Sequence, residues 1–214
     1  MPRVLVLLLG LLPVSATADG AFLALHDERG LPPTGPPTGR VARGLALRQA
    51  IETARGDRAI DDLAGALRKS PVQVGNNVHV VGTSPSDPAA VIEWDGNSLD
   101  HGVTVRRPGT EVDAARLICT NHYRLRAERD GSCGRYEKLE AELQEAATAG
   151  RRIGFEAACR LLDRVSASGS TVTHFSVICW PADRRYAFAV SPSQGESATR
   201  GRWVTVEWAE LFGP

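Results

Sequence analysis

The feature that most constrains this chain is the order in which its hydrophobic periods change. Strand-like and helix-like runs come in blocks and do not alternate one for one. "GAFLALHD" (20–27) reads as a strand. The loop that follows, "ERGLPPTGPPTGR" (28–40), is too rich in proline and glycine for a helix or a central strand. Two amphipathic helices are then expected, over 43–55 and 58–69. Leu47, Ala50, Ile51 and Ala54 share one face of the first; Ile60, Leu63, Ala64 and Leu67 share one face of the second, with Asp57 as N-cap. Four short strand-like runs come next: "NVHVVGT", "AAVIEWDG", "GVTVRR" and "RLICTN". Turn residues such as Ser84-Pro85, Asp95-Gly96 and Pro108-Gly109 separate them. A second helix pair is expected over 134–148 and 153–166, with Tyr136, Leu139, Leu143 and Ala147 inward in one and Phe155, Ala158, Leu162 and Val165 inward in the other. The chain closes with "VTHFSVICW", "RRYAFAVSP" and "RWVTVEW", the first two meeting at a hairpin turn through Pro181-Ala182-Asp183.

Blocks of this kind imply an α+β fold, antiparallel sheets flanked by helix pairs. At 214 residues the chain is long enough for a well-buried domain. Its 25 basic and 25 acidic residues cancel, which leaves no electrostatic footprint for nucleic acid or an anionic membrane; neither is expected as a partner.

Residues 1–18 support two readings. Arg3, the apolar run "VLVLLLGLLPV" and the small-residue end "SATA" have the layout of a cleaved export leader, which would leave 19–214 as an exported domain. The same run is leucine-rich and β-branched enough to be a buried strand, in which case the protein is cytoplasmic. It is too short for a comfortable membrane span, so none is expected in the mature form.

The cysteines (Cys119, Cys133, Cys159, Cys179) form no CxxC and no zinc spacing, and the five histidines form no HxH or HxxxH. No metal and no cofactor is expected. Cys119, Cys159 and Cys179 lie in apolar runs and read as small buried hydrophobes; Cys133 has the least hydrophobic setting.

The polar knot in "LICTNHYRLRAERDGSCGRYEKLEAEL" (117–143) is the candidate site. Asn121, at a strand end, can offer an amide donor to a developing oxyanion, or can simply close an Asx-turn. His122 can act as a base or serve a structural hydrogen bond. Arg135 opens a helix, where the dipole disfavours its charge, so that charge serves a partner: a ligand, or Asp130 or Glu137.

This segment resembles the TNH…R segment of the acyl-coenzyme A:isopenicillin N acyltransferase family. These are cysteine N-terminal-nucleophile (Ntn) hydrolases, related more distantly to bile-salt hydrolases, penicillin V acylases and acid ceramidases. "DGAFLALHDERG", "RGLALRQAIETARG", "GNNVHVV…AAVIEWDG" and "STVTHFSVICWPADRRYAFAV" resemble further family segments in the same order. The resemblance implies a four-layer αββα sandwich and acyl transfer from a small-molecule amide or thioester through an acyl-cysteine. It implies an oxyanion or substrate-positioning role for Asn121 and, for Arg135, ordering of the nucleophile region, the two lying near each other in a concavity. Thr120 and His122 would contact substrate.

The family's nucleophile is the first residue of the mature chain, and no cysteine precedes residue 119 here. The expectation is therefore a domain incomplete on its N-terminal side, with an exposed sheet edge, inactive alone and open to a complementing N-terminal fragment. The alternative is an exported, non-catalytic binding domain, disulfide-containing, that reuses the fold.

Overall fold

Side-chain alternation along the strands decides how this chain packs. The computed structural model describes residues 6–10, 14–16, 22–27, 39–72, 75–82, 84–95, 102–109, 117–120, 122–125, 133–170, 172–180 and 183–213. They fall into two compact units, one of residues 12–131 and one of 1–11 with 132–214.

The 12–131 unit holds a five-stranded antiparallel sheet. Its spatial order follows the chain: β2 (Val14–Ala16), β3 (Phe22–Asp27), β4 (Asn76–Val81), β5 (Ala89–Trp94) and β6 (Val103–Arg106). Leu25 lies opposite Val78, and Val78 opposite Ile92, so alternate residues of successive strands share a face. Leu23, Leu25, Val78, Val80, Ala90, Ile92 and Trp94 form the apolar face, a core with α1 (Arg43–Thr53) and α2 (Ala59–Arg68). The expected inward residues of both helices are buried. The opposite face carries Asn77, His79, Glu93 and Arg106, all buried.

Two expectations for this unit are corrected. A 3-10 turn, Gly56–Arg58, precedes α2, so Asp57 lies inside that turn; the helix is capped at Arg58 with no side-chain cap bond. Gly56 permits the turn because its φ is +53. The "RLICTN" run is no fourth strand of its block: residues 117–120 have no regular structure. The carbonyls of Ile118 and Thr120 accept hydrogen bonds from the side chains of Arg106 and Asn77.

The second unit holds a four-stranded antiparallel sheet in the order β1 (Val6–Gly10), β7 (Phe175–Trp180), β8 (Arg185–Val190), β9 (Trp203–Glu207). β1 pairs with β7 from Val6 opposite Cys179 to Gly10 opposite Phe175. β7 and β8 form the expected antiparallel pair; of the expected turn residues, Pro181 and Ala182 lie outside the described residues. α3 (Gly134–Thr148) packs beside α4 (Phe155–Val165), whose Ala158 and Leu162 meet Ile178 of β7. The short α5 (Trp208–Phe212) follows β9 directly. Among the described strands β9 is paired on one side only, and Val204 on it and Val190 beside it are 40% and 57% exposed.

The helix faces of this unit differ in detail from the expected ones. In α3, Tyr136 and Ala146 are buried, Leu139 and Leu143 half-buried, and Ala147 exposed. The helix is rolled slightly, so that Ala146 replaces Ala147 on the inward stripe. In α4, Phe155 is 38% exposed, because at the first helical position its ring leans on Trp180 and Trp203 at the end of the core.

Two glycines make a test of this packing. A Cβ at Gly201 would fall on the carbonyl oxygen of Val190 and crowd that of Ala198, whereas a Cβ at Gly65, inside α2, meets nothing within 4 Å. Thermal melts should show Gly201→Ala destabilised by about 1–3 kcal/mol and Gly65→Ala stabilised by about 0.5–1 kcal/mol.

Candidate functional site

Glu93 and Arg106 would be costly on a buried sheet face unless each satisfied the other. Glu93 lies opposite Asn77 on β4 and Thr104 on β6, so strand alternation puts Asn77, Glu93 and Arg106 on one face. Arg106 Nε donates to Glu93 Oε1 at 2.8 Å, with the two side chains 1% and 0% exposed. Both members of the pair also bond backbone groups. Arg106 Nη2 donates to the carbonyl of Ile118 at 2.9 Å. Glu93 Oε1 accepts from the N–H of Arg124 at 2.7 Å, and Oε2 from that of Leu125 at 3.0 Å.

Two further bonds hold the same segment. Asn77 Nδ2 donates to the carbonyl of Thr120 at 3.0 Å, and the Tyr123 hydroxyl donates to the carbonyl of Trp94 at 2.9 Å. The described residues of 117–125 thus have no ladder partners, yet side chains of three strands and of Tyr123 fix them. Hydrogen bonds to a charged group are worth about 1.5–3 kcal/mol each, so the Glu93–Arg106 pair orders this segment strongly.

The site residues expected from sequence are placed as follows. Thr120 is buried, with its carbonyl bonded to Asn77. His122 is half-buried, with Nδ1 shielded from solvent. Asn121 lies outside the described residues. Arg135 is exposed in the first turn of α3 and belongs to the other unit. Thr120 and His122 are therefore brought together on the pinned segment, and Arg135 is a residue of a separate unit. Glu93, Arg106 and Asn77 escaped the sequence reading as members of the site. The available signal was a glutamate inside the apolar run "AAVIEW" and an arginine ending "GVTVR".

None of the four cysteines is in a disulfide. Cys179 is fully buried, and burial pushes its thiol up to about 12; burial also raises that of half-buried Cys159. Cys133 is buried at the N-cap of α3, and Cys119 is half-buried beside the Thr120 carbonyl. A separate open depression of about 500 Å³ in the second unit is lined by Asp163, Ser166, Ser168, Glu196, Ser197 and Arg200, among others. Its carboxylate Asp163 is already engaged by Thr199 Oγ1 at 2.7 Å and Arg200 at 2.9 Å. Among the described residues no group of His, Cys, Asp and Glu could hold a metal, and no helix is long and apolar enough to cross a membrane.

Removing one member of the buried pair strands the other. Glu93→Gln and Arg106→Met should each lower unfolding free energy by about 3–5 kcal/mol in denaturant titrations, and Glu93→Leu combined with Arg106→Met should lose less than the summed single losses. Cys179, protonated and enclosed, should resist iodoacetamide at pH 8 in the folded protein and label quickly once denatured, as read by peptide mass spectrometry.

No protein-family model matches the chain, and no curated protein sequence does either. Solved structures do match. An arginine-to-leucine variant of the conjugated bile acid hydrolase from Clostridium perfringens superposes with a TM-score of 0.59 at 8% identity, over 94% of this chain and 74% of that one. A cysteine-to-alanine mutant of the same hydrolase gives a TM-score of 0.50 at 9% identity, over 91% and 76%. At such identities the likeness speaks for the fold: this chain has the α+β fold of the Ntn hydrolases, with two antiparallel sheets and their helices.

Proposed function

We propose that the chain is a homologue of the cysteine Ntn amide-bond hydrolases and acyltransferases, of the acyl-coenzyme A:isopenicillin N acyltransferase type. Its chemistry is transfer of an acyl group from a small-molecule amide or thioester through an acyl-cysteine. The observation that carries this reading is the 117–125 segment. On a fold like that of an amide hydrolase, the chain holds a non-regular polar segment in place with a buried ion pair and two further side-chain bonds. A fixed segment suits preorganised donors, which stabilise a developing oxyanion without reorganising.

In this reading Asn121 supplies an oxyanion donor, Thr120 and His122 contact substrate, and Arg135 orders the nucleophile region. The nucleophile itself needs a thiol and a free α-amino group on one residue, the amine being the base within reach of the thiol. The four cysteines of this sequence are all internal, the first at residue 119, so in this reading the nucleophile is supplied by a segment that begins with cysteine. The pairing of β1 with β7 supports the strand reading for residues 6–10, the leader reading being the alternative. Localisation follows from that choice, cytoplasmic under the first and exported under the second.

A second reading is a non-catalytic binding domain on the same fold. The pure chain and its Cys133→Ala variant, assayed on chromogenic amides and thioesters, separate the two. The chain alone should show no turnover, and adding a fragment that begins with cysteine should restore it. Turnover by the chain alone that Cys133→Ala abolishes would make Cys133 the nucleophile. Saturable ligand binding with no turnover under any condition would establish the binding domain.

A further inference from the structure

The second sheet carries a cation in an unusual setting, apart from every residue assigned a role above. Trp180 ends β7, Arg185 begins β8, and the two are register partners. The Arg185 guanidinium lies over the Trp180 ring, 4.6 Å from its centroid. Glu207 stands opposite Arg185 across β8 and β9, yet among the described residues no carboxylate is within ion-pair distance of Arg185. Its Nε is buried, with no hydrogen-bond acceptor among the described residues. Phe155 extends the aromatic surface: its ring is 5.8 Å from that of Trp180 and edge-on to that of Trp203 at 5.7 Å, with Phe155 38% exposed.

The turn that delivers Arg185 is strained. Arg184 sits at φ +48, in the left-handed region that favours glycine, and its carbonyl is held by the Trp208 N–H at 2.8 Å. A cation–π contact itself uses no oxygen acceptor, so guanidinium N–H groups remain to bond a planar acceptor. A carboxylate is the matching acceptor, since it takes two parallel N–H bonds in the guanidinium plane. The exposed ring of Phe155 then offers an apolar surface to whatever carries that carboxylate.

We propose that Arg185, held over the Trp180 ring that Phe155 also meets, forms a binding site for a carboxylate joined to a flat apolar group. The site lies in one unit and does not depend on the amide-hydrolase reading.

The test uses the full chain and benzoate, with benzamide as the uncharged counterpart of the same shape. Binding is read from the indole N–H signals of the tryptophans by two-dimensional NMR, with Trp180 assigned through Trp180→Phe. Benzoate should shift the Trp180 signal saturably. Arg185→Gln should weaken binding about ten- to a hundredfold, and Arg185→Lys, which keeps the charge without the fork, should fall between the two. Benzamide should bind far more weakly than benzoate. Equal shifts with benzoate and benzamide would mean an apolar patch alone and would overturn the proposal. So would benzoate binding unchanged in Arg185→Lys and Arg185→Gln, or no saturable shift at all.

Discussion

Glu93 and Arg106 stand on neighbouring strands with almost no access to water, and most of what is distinctive in the 12–131 unit follows from that pair. A lone carboxylate there would carry a desolvation cost of several kcal/mol, and a lone guanidinium would do no better. Together they share one short bond and also bond the backbone of residues 118, 124 and 125. A segment that could have become a strand is thereby held as a shaped, irregular one. The pair thus links packing to function, because it fixes the stretch on which the proposed substrate-contacting residues sit.

The pair depends in turn on register. Strand side chains alternate with a period of two, so a slip of β5 by one residue against β4 would bring Glu93 to the helix-covered side and expel Ile92 from it. The apolar contacts with α1 and α2 therefore specify the polar face as well as the core. Arg107 reinforces the arrangement from outside, joining β6 to Asp61 of α2 and to Asp87. Such partly exposed ion pairs add little stability singly, but these two tie strand, helix and loop in the alignment that the core requires.

Much of this was legible in the sequence, for physical reasons. The helix pairs declared themselves by period, and Leu47, Ile51, Ile60, Leu63 and Leu67 are buried as their spacing implies. The block order implied antiparallel sheets, and both are antiparallel. What sequence could not show was competition for backbone groups. "RLICTN" has strand composition, but the side chains of Asn77 and Arg106, distant along the chain, claim its carbonyls. Nor does a single sequence give cross-strand register, which alone reveals that Glu93 and Arg106 meet. The polar knot could be located at 117–125, whereas the groups that hold it could not. Phe155 shows the opposite limit: its periodicity was right, but a first-turn residue reaches past the end of the core.

The claim that the buried pair holds the 117–125 segment is tested most directly by amide hydrogen exchange at Arg124 and Leu125. Both N–H groups donate to a carboxylate with no solvent exposure. The account predicts that they exchange as slowly as the central amides of β5, through the same unfolding event, although they lie in no helix or strand. Exchange at the rate of an unstructured loop, with β5 fully protected, would contradict it.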